Sequence, residues 1–369
     1  MAHNDLISRS SGLDCHSRQN DGEWNCIVAS SGCASLGNSD ITGLGVLLAF
    51  LVVASATLAA SWIDFMLSSK HRIRMPSRVD RNFLHGLNAI KFPTLPQSWT
   101  DTNLKMILLF SDQVIVIGIA VLIAGFQKSQ TLSIYHFEII LWEAWLASNC
   151  HQVTLLVSQE YFLSHPTILA FRLIAMTIMF VMLFVTLSLF AVAPNGAYSL
   201  DSGIHCLWSD NTTTPRPDAI IALLLLGVNY TARLMKAFER PAAWSRLWFR
   251  EKPSALLKIL YNRTANGGNI PWWNIIPFWI FVVYCLGRAV YDMCESRVFQ
   301  LLWLSWSFGY GCAKLIMTRD LAPKDYQESD WAFGQILAML ALAVPVLGLP
   351  QIYYGMSRLR PKATVKSLS

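Results

Sequence analysis

The stretch Tyr135–His151, YHFEIILWEAWLASNCH, is apolar enough to enter a membrane yet carries Glu138, Glu143, Asn149 and His151. A carboxylate at the bilayer centre costs roughly 2.5–3.5 kcal/mol on insertion scales, so an acid placed there is paired, protonated or turned away from lipid. A carboxyl that keeps its proton in an apolar site can act as a general acid. Trp142 and Trp145 flank Glu143 in sequence, and a desolvated indole face stabilises a cation by roughly 2 kcal/mol or more. An acid beside π faces suits chemistry that passes through a carbocation. At about 100° per residue, Glu138, Trp142, Trp145, Asn149 and Gln152 share one helical stripe, and His136, Glu143, Ala147, Cys150 and Thr154 share the opposite one. Polar atoms on both stripes predict a helix buried at the centre of a bundle.

Depth along that helix follows from a rise of about 1.5 Å per residue. Counted from residue 133, Glu138 lies about 8 Å and Glu143 about 15 Å inside. Asp112, in Ser111-Asp112-Gln113 of the preceding apolar run, comes out about 14 Å deep from the other side, which predicts Asp112 and Glu143 at one level. Further polar groups in apolar runs are Asn229, Arg233, Arg288, Asp292, Tyr310 and Lys314. Most of these suit ion pairs and interhelical hydrogen bonds, or long side chains reaching the interface.

The elements that hold these residues are membrane helices. Of 369 residues 54% are hydrophobic and only 14% charged, against about 25% charged in soluble domains. Mean hydropathy is +0.40. The expected fold is an all-α integral membrane bundle of about eight helices, with seven as the alternative. Spans are read at about 43–63, 104–126, 134–157, 168–193, 218–236, 273–292, 298–317 and 331–354, each close to the length of a bilayer core. A polar N-tail, 1–42, precedes them and a basic C-tail, 355–369, follows. No basic region precedes the first apolar run, so that span is expected to serve as the targeting signal.

Lys and Arg set the orientation. The segment after the first span carries Lys70, Arg72, Arg74, Arg78, Arg81 and Lys91, which predicts a cytoplasmic position there and a luminal N-tail, with the endoplasmic reticulum as the expected membrane. The 237–272 loop is basic too, and its Trp244, Trp248 and Phe249 predict an interfacial segment. Eight spans would leave the basic tail (Arg358, Arg360, Lys362, Lys366) outside and the acidic 318–330 loop inside. Both would be repaired if 273–317 crossed once. Hydropathy favours two passes, because Arg288, Asp292, Glu295 and Arg297 interrupt the run.

With two passes Cys15, Cys26, Cys33, Cys206 and Cys294 fall outside, where disulfides or free thiols are both open. Asn211, in Asn-Thr-Thr, is the sequon in a luminal loop and the expected glycosylation site. The chain has no P-loop, dinucleotide fingerprint, His-Glu-x-x-His or Asp-rich diphosphate motif, so no metal and no cofactor is expected. Its cations sit beside spans, which points to the lipid bilayer as partner and not to nucleic acid.

Two stretches, Ser111–Phe126 and Tyr135–His151, together with Tyr161, Pro166, Arg172, Trp331–Gln335 and Tyr353-Tyr354, resemble a family of fungal polytopic membrane proteins. That family includes the terpene cyclases of ascochlorin- and ascofuranone-type meroterpenoid pathways. The chain departs from the family pattern at Glu138 (Gln in many members), Glu143 (Leu) and Ile117 (Thr). The resemblance implies acid-initiated cyclisation of an epoxidised farnesyl chain on a phenol, a lipophilic prenylated substrate, and association with other pathway enzymes. Combined with the residue chemistry, it sets Glu143 as proton donor, Asp112 or Glu138 as its partner, and Trp142, Trp145, His136, Tyr135 and Asn149 as the lining. The rival expectation is a non-catalytic transporter or receptor-like bundle in which Asp112, Glu143 and Arg288 relay ions or protons; a third is an assembly protein without chemistry.

Overall fold

The computed structural model describes residues 43–68, 78–87, 97–129, 132–192, 216–237, 247, 275–321, 334–336 and 338–341. The N-tail with Cys15, Cys26 and Cys33, the loop with Cys206 and Asn211, the expected interfacial segment apart from residue 247, and the C-tail lie outside the described residues. The described residues form, in order, α1 (Leu44–Ser68), α2 (Arg78–Leu87), α3 (Gln97–Gln127), α4 (Ile134–Val157), α5 (Gln159–Ser164), α6 (Pro166–Val192), α7 (Pro217–Ala237), α8 (Ile275–Glu295) and α9 (Arg297–Asp320). Residues 334–336 and 338–341 are also helical. The described residues form no sheet.

Among the described residues four helical segments are long and apolar enough to cross a membrane: Leu44–Met66, Trp99–Gln127, Pro166–Ala191 and Pro217–Ala237. They belong to α1, α3, α6 and α7 and agree with four of the expected spans. By length and composition they are compatible with an all-α integral membrane protein.

α4 is built differently. It starts at Ser133, whose hydroxyl accepts from the His136 N–H, and ends at Ser158, whose N–H returns to the Thr154 carbonyl. Between these caps every residue but Glu138 and Val157 is buried. α1, α3, α6, α7 and α9 all pack on it. Its polar residues therefore meet protein rather than lipid. Outward faces of the surrounding helices expose Val116, Phe171, Leu224 and Val228, as a lipid-facing surface requires.

Cross-helix bonds fix the directions. Asn103 at the start of α3 donates to the Ala60 carbonyl near the end of α1, so these two are antiparallel. α7 and α9 are zipped antiparallel by Arg233–Gln300 (2.5 Å), Trp303–Asn229 (2.6 Å) and Lys314–Asp218 (2.8 Å), and Lys236 of α7 reaches Glu295 at the end of α8 (3.4 Å). We call the end where α1 begins the upper face. α7 ends and α9 begins at the lower face, so the chain between them leaves and returns on one side. Two successive passes at 273–292 and 298–317 would start α9 at the upper face, which this zipper contradicts. Hydropathy could not show this, because a run broken by charges looks the same whether it turns in the membrane or lies along it. Cys294 accordingly sits at the lower face, where its carbonyl accepts from Lys236 and Gln300, not with the cysteines expected outside. It is free and exposed. In sealed microsomes an impermeant maleimide should label Cys294 from the same side as a cysteine placed in α2 (His85→Cys). Labelling from opposite sides would refute the direction assigned to α9.

Residues 334–341 begin beside the start of α1, where the Gly45 N–H donates to Gln335 Oε1 at 3.0 Å. They then run down along α1 and α3, and the Gln113 amide reaches the Ala341 carbonyl.

The lower face has its own clasp. Asp80 of α2 accepts from Ser296 Oγ (2.6 Å), Arg297 N (3.2 Å) and Val298 N (3.1 Å). Those amides have no partner within their own helix, and a carboxylate also complements the positive end of the helix dipole. Asp80→Ala should cost about 1–2 kcal/mol, the usual range for a lost cap, read as a lower melting temperature in detergent, with Asp80→Asn in between.

Candidate functional site

The faces of α4 do separate jobs. On the α3 side, Gly118 lets the helices approach: a Cβ there would lie 2.8 Å from Ala147 Cβ and 2.5 Å from Met179 Cε. Gly125 repeats this against Ile140 and Phe137. Further down, Ser111 Oγ and His151 Nδ1 are 3.1 Å apart. On the α7 side, Ser148 Oγ meets Tyr230 Oη at 2.7 Å, and Gln152 donates to Ser148 at 3.2 Å.

The same register places Asp112. Gly118 opposite Ala147 and Gly125 opposite Ile140 put Glu143 level with Leu122, leaving Asp112 ten residues away, about 15 Å along the axis. The expected level match between Asp112 and Glu143 is therefore wrong. α3 begins at Gln97, earlier than the apolar run suggested, and its outer turns displaced the depth count. Asp112 is 56% exposed and forms an ion pair with Arg172 of α6, whose guanidinium also donates to the Leu108 carbonyl and lies 5.0 Å over the Phe162 ring. That is a helix-to-helix tie.

Glu143 is fully enclosed in the core of α4 contacts. Tyr135 and His136 are buried at the helix start, edge-on to each other at 5.1 Å, with His136 Nδ1 2.6 Å from Ser133 Oγ. His136 serves the cap. Asn149 donates back to the Trp145 carbonyl at 2.9 Å and lies one turn below it. Arg288, offered as part of a relay, bonds Tyr284 and Asp292 within α8.

The face toward α9 gathers an aromatic wall. Trp142 and Trp145 meet edge-on at 6.1 Å, and both contact Tyr310, at 5.8 and 6.1 Å. Trp306 stacks on Tyr310 at 6.0 Å. Trp145 is locked by its indole N–H, which donates to the Ser307 carbonyl at 3.1 Å, and by Gly311, which leaves room for its ring. Glu138 caps this wall. Its carboxyl lies beside the Trp142 indole N–H, with Lys314, Arg216 and Asp218 as its charged surroundings. Lys314 is already held by Asp218. Glu138 is one of the two α4 residues that are not buried. An acid that is open on one side and backed by four aromatic rings is the chemically usable feature of this bundle.

Of the expected site residues, the structure thus joins Glu138, Trp142 and Trp145, with Asn149 below. It separates Asp112 from them along the axis and sets Glu143 and His136 on the opposite stripe of α4. Asp218, Arg216, Trp306 and Gly311 escaped the sequence reading as site residues. Trp303, Trp306, Tyr310 and Lys314 recur at helical spacing along α9, a stripe that points to one face, but the partner of that face is not in the sequence pattern.

Comparison with known proteins finds one region of likeness. Over 114 residues, 30% of this chain, it is 30% identical to the Elsinochromes biosynthesis cluster protein HP3 of the fungus Elsinoe fawcettii. The matched segment spans 42% of that relative, well under two thirds of its length. No family model matches the chain, and no solved structure does.

Proposed function

We propose that this protein is a membrane enzyme of fungal secondary metabolism that cyclises an epoxidised prenyl chain on a phenolic substrate by acid initiation. The likeness to a biosynthesis cluster protein supports the setting. The observation that carries the reaction is the placement of Glu138 at the open end of the Trp142–Trp145–Tyr310 wall.

The step balances as an isomerisation. The Glu138 carboxyl gives its proton to the oxirane oxygen as the bond to the more substituted carbon breaks. The cation at that carbon is captured by the next double bond of the same chain, forming a ring. Loss of a carbon-bound proton, which returns directly or through solvent to the Glu138 carboxylate, then ends the sequence and restores the acid. Tyr310 and Trp306, the accessible rings of the wall, would offer π faces to the travelling charge, backed by the buried Trp142 and Trp145, and the apolar surroundings would keep water from quenching it. A prenyl chain would reach this wall from the bilayer.

The membrane frame of this reading has seven crossings: α1, α3, α4, α6, α7, α9 and the element that starts near Gln335. They alternate in direction. The basic segments then fall on the lower, cytoplasmic face, the acidic 318–330 loop on the upper, and the basic tail below, which removes the charge conflict of eight spans. Glu138 lies toward the luminal end. The test is to supply microsomes holding the full chain with a farnesylated phenol epoxide. A cyclised product of unchanged mass supports the proposal, and recovery of substrate alone, with the protein present and folded, overturns it.

A further inference from the structure

A second polar feature lies at the lower face, away from the aromatic wall. A shallow, half-open cleft runs between α4, α5, α6 and α7, lined by Leu155, Leu156, Phe162, Leu169, Arg233 and Lys236 among others. Its walls are apolar and its two basic groups come from successive turns of α7. Arg233 is 8% exposed, and its bond is to the neutral amide of Gln300. Among the described residues it makes no ion pair. Among the described residues Lys236 pairs with one carboxylate, Glu295 at 3.4 Å, so there the two cations share one negative charge.

A buried guanidinium without a counter-charge is costly, and removing that cost is worth several kcal/mol to whatever anion supplies the charge. The planar fork of Arg matches a phosphate through paired hydrogen bonds, and Lys adds a point charge beside it. The leucine and phenylalanine wall would take the hydrocarbon of the same molecule. The basic segments of the chain put this end of the bundle at the cytoplasmic leaflet, where anionic lipids reside.

We propose that the cleft binds an anionic phospholipid, with its phosphate on Arg233 and Lys236 and the first part of one acyl chain along Leu155, Phe162 and Leu169. This does not depend on the cyclase reading.

The test uses the purified full chain in a neutral detergent, titrated with dioctanoyl phosphatidic acid and followed by native mass spectrometry and thermal melting. The proposal expects saturable binding of one lipid and a rise in melting temperature of several degrees. Dioctanoyl phosphatidylcholine should bind at least tenfold more weakly, and so should inorganic phosphate. Arg233→Gln should weaken phosphatidic acid tenfold or more. Arg297→Gln, which removes an exposed cation at the same face, should leave it unchanged. Should Arg233→Gln fail to fold, Leu163→Glu replaces it: Leu163 lines the cleft yet is 45% exposed, and a carboxylate there should repel the lipid phosphate by a similar factor. Equal binding by the Arg233 or Leu163 variant and the unaltered protein, or equal binding of phosphatidylcholine, would overturn the site. Inorganic phosphate binding as tightly as phosphatidic acid would overturn the lipid as its occupant.

Discussion

Glu138→Gln should lower cyclisation of a prenyl epoxide by about 10²–10⁴-fold, the range expected when a positioned general acid is removed. The amide keeps the size of the side chain and its place beside the Trp142 indole N–H, Lys314 and Asp218. The rest of the aromatic wall should stand, so melting temperature and substrate binding should change little while turnover collapses. Glu138→Asp retains an acid but draws it back by one methylene, and intermediate turnover is expected. A rate for Glu138→Gln within threefold of the unaltered protein would remove Glu138 as the donor. Asp218→Asn separates the acid from its setting. It strips Lys314 of its partner at 2.8 Å, so a Glu138 carboxylate paired with that ammonium becomes the favoured state. Turnover should then fall at neutral pH and recover in part as the medium is acidified.

The second large effect is expected at Gly311. A Cβ there would lie 2.6 Å from Trp145 Cδ1 and 3.2 Å from its Nε1 and from Leu146 Cδ2. The two indole atoms belong to a rigid ring and are not flexible chain ends. Trp145 is pinned by its bond to the Ser307 carbonyl and by contact with Trp142 and Tyr310. Gly311→Ala should therefore push Trp145 out of place and cost about 1–3 kcal/mol, as overpacking of a tight core does. Since Trp145 belongs to the proposed cation path, the product ratio should shift as well, towards water-quenched diols. A variant that melts like the unaltered protein with the same products would show that the α4–α9 contact has slack. Gly118→Ala probes a contact equally tight, against Ala147 and Met179, but remote from the wall. It should lower stability without changing the product ratio, which separates the two effects.

Much of this architecture is legible in the sequence. Apolar length alone finds α1, α3, α6 and α7, because each faces lipid on one side. The central position of α4 follows from polar atoms on both of its stripes, since only a helix wrapped by others tolerates them. The stripe of Glu138, Trp142 and Trp145 also holds in three dimensions, because 3.6-residue periodicity is local. What fails is whatever needs two helices in register. Asp112 was set level with Glu143 by counting from an assumed entry point, whereas glycine contacts at Gly118 and Gly125 set the true offset. The direction of α9 depends on bonds to α7 and on the Asp80 clasp; in the sequence the charge pattern pointed to one crossing of 273–317 and hydropathy to two. The choice of Glu143 over Glu138 rested on its tryptophan neighbours in sequence. In the fold those rings turn toward α9 and Tyr310, and Glu143 turns into the helix core.

The central claim is that chemistry belongs to the acid on the aromatic face and not to the acid in the core. It is tested most directly by product formation from one farnesylated phenol epoxide in microsomes carrying the unaltered chain, Glu138→Gln or Glu143→Gln at matched folded amounts. The account predicts a cyclised isomer from the unaltered chain, almost none from Glu138→Gln, and product from whatever Glu143→Gln protein folds. Full activity in Glu138→Gln with none in folded Glu143→Gln would contradict it.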